Sequence, residues 1–130
     1  MPLSPDTGVI LVDHGSKRVA ANDLLFDVVA MFKSTTGHAI VEPAHMELAD
    51  PTLADAFAAC VELGAKEVVI HPYFLSPGRH STEDIPRMAE EAAALHPLVP
   101  FRVTEPLGVD PRVSELILQR IQESIHNGND

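Results

Sequence analysis

The chain predicts an α/β fold: a three-layer domain on a four-stranded parallel sheet in the order 2-1-3-4. Three observations lead there. Short apolar runs alternate four times with segments of helical periodicity. Two of those runs, Gly8-Val-Ile-Leu-Val12 and Glu67-Val-Val-Ile70, are nearly continuous, as central strands covered on both faces require. Prolines fall in the other two, at Pro43 and Pro100, and proline is confined largely to edge strands, strand starts and bulges. Right-handed crossovers then set strands one and three side by side in the middle of the sheet.

The elements follow in order. Strand one is expected at about Gly8 to Asp13. Helix one should run from near Val19 to Lys33, with Ala21, Leu24, Leu25, Val28 and Phe32 on one face. Strand two is placed at about His38 to Met46. Helix two has Asp50 as its expected N-cap and Pro51 at the first helical position. Its apolar face is Leu53, Phe57, Cys60 and Val61, and Gly64 stops it. Strand three spans Glu67 to about Phe74. Helix three begins between Ser81 and Pro86 and carries Ile85, Met88, Ala89, Ala92 and Leu95. Strand four is about Val99 to Thr104. Helix four repeats the Asp-Pro start at Asp110-Pro111 and carries Val113, Leu116, Ile117 and Ile121. His126 to Asp130 reads as a polar, frayed tail.

Composition narrows the function classes. At 130 residues the chain reads as a single domain, 1–130, long enough to bury a real core. Its 45% hydrophobic and 22% charged residues are ordinary for a globular protein. No stretch approaches the ~20 apolar residues of a membrane span, and no basic-then-apolar leader opens the sequence. The expectation is therefore a cytoplasmic protein with no membrane partner. A lone cysteine, Cys60, excludes an internal disulfide and any multi-cysteine zinc or iron–sulfur site, and reads as a small buried hydrophobe. A net charge of −10 argues against nucleic acid, and an anionic ligand would need a local cluster of cations.

Two histidines stand where histidines do little for folding. His14 follows strand one in Val12-Asp-His-Gly-Ser16, and His80 lies in the loop Pro77-Gly-Arg-His-Ser81 after strand three. The carboxyl ends of parallel strands line the binding crevice of such sheets. Two imidazoles meeting there suggest a divalent transition metal. Gly15 permits a tight turn, and Ser16 is placed to cap the next helix. Glu47 follows strand two in His45-Met-Glu-Leu-Ala-Asp-Pro51 and is either a third ligand, a proton acceptor or a solvated carboxylate. His45, two residues earlier, would share its face on a strand. His71 reads as a buried histidine bonded to backbone, and His38, His96 and His126 as surface or element-end residues. Lys17, Arg18, Arg79 and Arg87 flank the two loops. A phosphate binder is disfavoured, because neither G-x-G-x-x-G nor G-x-x-x-x-G-K occurs.

Three segments carry a family resemblance. Val12-Asp-His-Gly-Ser-Lys17, His45-Met-Glu-Leu-Ala-Asp-Pro51 and Pro72-Tyr-Phe-Leu-Ser-Pro-Gly-Arg-His-Ser-Thr-Glu-Asp-Ile-Pro86 together resemble the short CbiX/SirB-type sirohydrochlorin chelatases of the class II chelatase family. The third is long and specific. The resemblance implies an enzyme, a lyase, that inserts a divalent metal, Co²⁺ or Fe²⁺, into sirohydrochlorin or a related tetrapyrrole for cobalamin or sirohaem, and the same imidazole ligands also suit Ni²⁺. The metal is then a substrate, no organic cofactor is expected, and the chain corresponds to half of a two-domain chelatase and works as a homodimer. By position His14 and His80 match the family's metal-binding histidines, and Glu47 matches an acidic position near the site. The tetrapyrrole's carboxylates would need Arg79, Arg18 and Lys17, and its macrocycle an apolar wall from Tyr73, Phe74 and Leu75. The first motif more often ends in arginine, where this chain has Lys17. The histidine-rich tract and cysteine cluster of some relatives are absent from this sequence. A non-catalytic metal or tetrapyrrole carrier on the same fold would use the same two histidines.

Overall fold

Thr7–Asp13 forms β1, and Thr7 to Val12 are all buried. An apolar strand of this kind needs cover on both faces, and the rest of the fold is arranged around it. The computed structural model describes residues 3–79 and 83–128. In chain order β1 is followed by α1 (Val19–Thr36), β2 (Val41–His45), α2 (Leu53–Glu62), β3 (Glu67–Pro72), α3 (Ile85–Ala93), β4 (Phe101–Val103) and α4 (Pro111–Gly128). The strands lie in the order β2-β1-β3-β4 and pair in parallel throughout, as the prolines implied. Among the described residues no helix is long and apolar enough to cross a membrane.

Two cores sandwich the sheet. On one face Ile10, Val12, Ala44, Val68 and Ile70 meet Leu53, Phe57 and Cys60 of α2 and Ile85, Ala89 and Ala92 of α3. On the other, Val9, Leu11 and Val41 meet Leu25 and Val29 of α1, with Val28 and Phe32 at the margin. Gly8 has no room for a side chain: a Cβ there would lie 2.9 Å from Cys60 Cβ. Cys60 is fully buried, and burial, with Glu42 nearby, pushes its thiol pKa up to about 12.

Several expected details change. The buried stripe of α1 is Leu25 and Val29, while Ala21 and Leu24 are exposed, and α1 packs more on β2 than on β1. Strand two is shorter than expected, and His38 is buried and donates its Nε2–H to the Thr7 carbonyl. Asp50 and Pro51 do not open α2. Thr52 is the N-cap: its hydroxyl accepts from Asp55 N–H while the Asp55 carboxylate accepts from Thr52 N–H. This reciprocal box satisfies two helix-terminal donors, and the Pro51 carbonyl is used instead by His45 N–H at 2.9 Å. Ser16 does not cap α1 either. Its hydroxyl accepts from Arg18 N–H, and the Asn22 side chain clasps both its N–H and its carbonyl. Leu95 lies beyond α3 and is exposed.

The larger corrections concern β3 and α4. Along β3 the side chains alternate between half-buried and buried, so only one face is fully covered, although the apolar run implied cover on both. The apolar stripe read on helix four is in solvent, with Leu116, Ile117 and Ile121 each about half exposed. The helix continues to Gly128, into the segment read as a polar tail.

Phe57 is fully enclosed between α2 and the sheet. Phe57→Ala is expected to lower unfolding free energy by about 3–5 kcal/mol, read from urea midpoints at unchanged slope. His71, beside the uncovered part of β3, has its pKa lowered from the ordinary 6.5 by burial. A depressed folded-state pKa means that the unfolded chain takes up the proton more readily. The stabilising contribution of the neutral ring is therefore complete above about pH 6.5 and is lost as pH falls below it. His71→Gln should flatten that acid-side decline in urea midpoints between about pH 7.5 and about pH 5.

Candidate functional site

All strands of a parallel sheet end at the same edge, and here β1, β2 and β3 finish at Asp13, His45 and Pro72. Asp13 and His45 are register partners. Their side chains join: His45 Nδ1 lies 2.6 Å from Asp13 Oδ1. An ionised carboxylate only accepts, so Nδ1 carries the proton. The same Oδ1 accepts the Gly15 N–H at 3.1 Å. One carboxylate therefore binds the last residue of β2 to the turn that presents His14. His45 is fully buried, and its Nε2 has no hydrogen-bond partner among the described residues.

Backbone contacts tighten the same junction. Met46 N–H donates to the Asp13 carbonyl at 2.9 Å, and Glu47 N–H to the His14 carbonyl at 3.2 Å. Gly15 has φ 87°, and a Cβ on it would lie 1.8 Å from the Glu47 carbonyl oxygen, so no side chain fits. Leu48 follows at φ 70°, a left-handed backbone that costs a residue with a Cβ roughly 1–2 kcal/mol. Glu47 and His45 do not share a face. His45 points into the core and Glu47 is exposed, because β2 stops at His45 and the chain bends there.

His14 is exposed and stacks on Phe74, with ring centroids 4.1 Å apart and planes at 15°. Both border a cleft of about 380 Å³ formed by His14 and the run from Tyr73 to Gly78. The floor of that run is held from two sides. Tyr73 N–H donates to the Val12 carbonyl at 2.7 Å, and the Phe74 and Leu75 carbonyls accept from Leu107 and Gly108 N–H at 3.0 and 2.7 Å. Tyr73 and Phe74 thus stand beside His14 along this cleft.

The cations are placed around this edge but engaged with acids. Arg79 Nε lies 3.8 Å from Glu83, and Arg87 pairs with Asp84 and Glu91. Lys17 and Arg18 are exposed on the β1–α1 loop. His80 lies outside the described residues. Among those described, no three His, Cys, Asp or Glu side chains gather as a metal site. Sequence reasoning missed the Asp13–His45 pair, although the 2-1 strand order and the two strand ends contained the signal. His71 bonds the Glu105 backbone, as expected, and also has its Nδ1 2.8 Å from the Thr104 hydroxyl, on the opposite side of the sheet from the α2–α3 core.

The family description CbiX matches residues 8–124. The chain belongs to the CbiX family. The match runs from the second residue of β1 through the other three strands and most of α4. A chloroplastic sirohydrochlorin ferrochelatase from Arabidopsis thaliana is 48% identical over 118 residues, 91% of this chain and 52% of that protein. A sirohydrochlorin cobaltochelatase from Methanopyrus kandleri is 30% identical over 137 residues, 90% of this chain and 96% of that one. The sirohydrochlorin chelatase SirB from Bacillus subtilis subspecies spizizenii, solved in complex with cobalt, superimposes with a TM-score of 0.83 at 26% identity. That likeness covers 90% of this chain and 50% of SirB. This CbiX chain thus spans about half the length of the Arabidopsis relative and of SirB.

Asp13→Ala strands the buried Nδ1–H of His45 without its acceptor. It should lower stability by about 1–3 kcal/mol. His14→Ala, which removes an exposed ring, should cost less than Asp13→Ala in the same urea titration.

Proposed function

We propose that this chain inserts a divalent metal, Co²⁺, Fe²⁺ or Ni²⁺, into sirohydrochlorin or a related tetrapyrrole. The observation that carries the reading is His14: an exposed imidazole stacked on an aromatic ring at the mouth of an apolar cleft, at the strand edge it shares with Glu47. The names of the Arabidopsis and Methanopyrus relatives support the same substrate. His14 and His80 are the proposed metal-binding pair, and the metal is a substrate rather than a resident group.

The chemistry sets what the site must do. Sirohydrochlorin gives up two pyrrole N–H protons as the metal takes their place, so one M²⁺ enters and two H⁺ leave. Neutral imidazole suits all three metals. Two ligands leave coordination positions for water and for incoming pyrrole nitrogen, whereas a closed four-ligand site would retain the ion. An imidazole holding metal cannot at the same moment accept a proton. Glu47, tied through its backbone to His14, is the nearby carboxylate assigned to proton removal. Tyr73 and Phe74 supply the apolar wall for the macrocycle. Lys17, Arg18 and Arg79 meet its carboxylates, with Arg79 exchanging Glu83 for the ligand. A flat macrocycle needs a second wall, which a C₂ homodimer provides.

An anaerobic absorbance assay with sirohydrochlorin and each metal tests the reading. His14→Ala and His80→Ala should reduce turnover by more than the ~10–100-fold typical of replacing a group that only supports a ligand, with circular dichroism unchanged. One equivalent of tetrapyrrole or metal bound without turnover would identify a carrier instead. Arg79→Ala should raise KM about tenfold or more, the scale of a lost charge-assisted hydrogen bond. That defect should shrink as salt rises, because screening weakens the wild-type attraction. A collapsed kcat at unchanged KM would remove Arg79 from substrate binding.

A further inference from the structure

The turn after β1 presents two kinds of chemistry within a few residues. His14 comes first, and the exposed cations Lys17 and Arg18 follow. Each part has its own anchor. On the His14 side, Glu47 N–H holds the His14 carbonyl at 3.2 Å, and Asp13 Oδ1 holds the Gly15 N–H at 3.1 Å. On the cation side the anchor is Asn22, in the first turns of α1. Its Oδ1 accepts from Ser16 N–H at 2.9 Å, and its Nδ2 donates to the Ser16 carbonyl at 2.7 Å. Ser16 Oγ in turn accepts from Arg18 N–H at 3.0 Å. Asn22 N–H donates to the Arg18 carbonyl at 3.2 Å, so the segment from Ser16 to Arg18 is tied at both ends to one residue.

The clasp calls for an amide. One side chain accepts from the N–H and donates to the C=O of the same residue, and an amide carries both functions in one plane. A carboxylate at this place would gain from the helix dipole and could still accept from Ser16 N–H, but it could not donate to the Ser16 carbonyl. α1 has no acidic residue in its first turn and no side-chain cap. The polar side chain nearest its start is therefore engaged with the loop and not with the helix end. A cation on a fixed backbone also loses less freedom on meeting a ligand than one on a mobile loop.

We propose that Asn22 is a positioning residue for the tetrapyrrole: by clasping Ser16 it fixes Lys17 and Arg18 for the ligand's carboxylates, while Asp13 and Glu47 separately fix His14 for the metal. The proposal rests on the reading of Lys17 and Arg18 given above and assigns the residue through which they act. Two anchors on one turn let the grip on each substrate be set independently.

Steady-state kinetics with sirohydrochlorin and Co²⁺ varied separately test this division. Asn22→Ala, which keeps a strong helix former in α1, should raise the KM for sirohydrochlorin about 2–10-fold, the scale of an ordinary hydrogen bond. The KM for Co²⁺ and kcat should stay near wild type. Added to Lys17→Ala/Arg18→Ala, the same change should have no further effect, because it acts through those two cations. A second readout needs no substrate. Trypsin cuts after Lys17 and Arg18, and it should nick Asn22→Ala faster than wild type because the unclasped loop opens more often. Equal nicking overturns the clasp. A raised sirohydrochlorin KM in Lys17→Ala/Arg18→Ala but not in Asn22→Ala overturns the role of Asn22 and leaves the cations in place. An unchanged KM in Lys17→Ala/Arg18→Ala overturns the reading of the cations and the proposal with it. A KM for Co²⁺ that rises as much as that for sirohydrochlorin overturns the separation of the two anchors.

Discussion

The carboxylate of Asp13 governs the arrangement of the candidate site. It accepts from His45 Nδ1 and Gly15 N–H through one oxygen, so two strands and a turn share a single acceptor. Buried pairs of this kind contribute little net stability, because desolvation offsets most of the attraction. What the pair supplies is position. The register of β1 against β2 sets Asp13 beside His45, the bond orients the Gly15 turn, and the turn sends His14 outward onto Phe74. The strain accepted at Leu48 belongs to the same junction, one residue beyond the backbone bond from Glu47 to His14.

Around this rigid centre the charges are loosely held. The chain is strongly acidic overall, yet arginines gather at the strand edge that carries the cleft. Their partners are exposed carboxylates at Glu83 and Glu91 and a half-buried one at Asp84, and exposed ion pairs are worth little. Replacing Glu83 on Arg79 with a ligand carboxylate therefore costs little more than rearranging two surface side chains. The site combines an inflexible imidazole with an adaptable electrostatic rim. That combination suits a substrate whose charges lie on its periphery and whose chemistry lies at its centre.

Much of this was legible in the residues. Pro43 and Pro100 pointed to strands two and four as the edges, because a ladder needs the N–H that proline lacks, and the order β2-β1-β3-β4 agrees, although Pro100 falls just before β4 and the central β3 itself ends on Pro72. The order alone brought the loops of His14 and Tyr73–Arg79 together. Other features were hidden for physical reasons. Asp50-Pro51 carries a strong helix-start signal, but the Thr52–Asp55 box satisfies more donors and takes the role. His45 and Glu47 have strand spacing, but the strand ends between them. The apolar run of β3 implied two buried faces, and the structure fully covers one. Periodicity identifies an apolar stripe on α4, and the structure leaves that stripe in solvent.

The fit of Gly15 against the Glu47 carbonyl has a consequence for anyone who would rebuild this protein. The β1–α1 turn and the segment after β2 are not two modules. A carbonyl oxygen occupies the space where a Cβ would stand, so neither segment can be lengthened, reshaped or transplanted while the other stays as it is. A graft of the histidine turn onto a foreign sheet would need Met46 and Glu47 to travel with it. In a saturation library, position 15 should admit glycine alone, and insertions on either side of the junction should survive only in matched pairs.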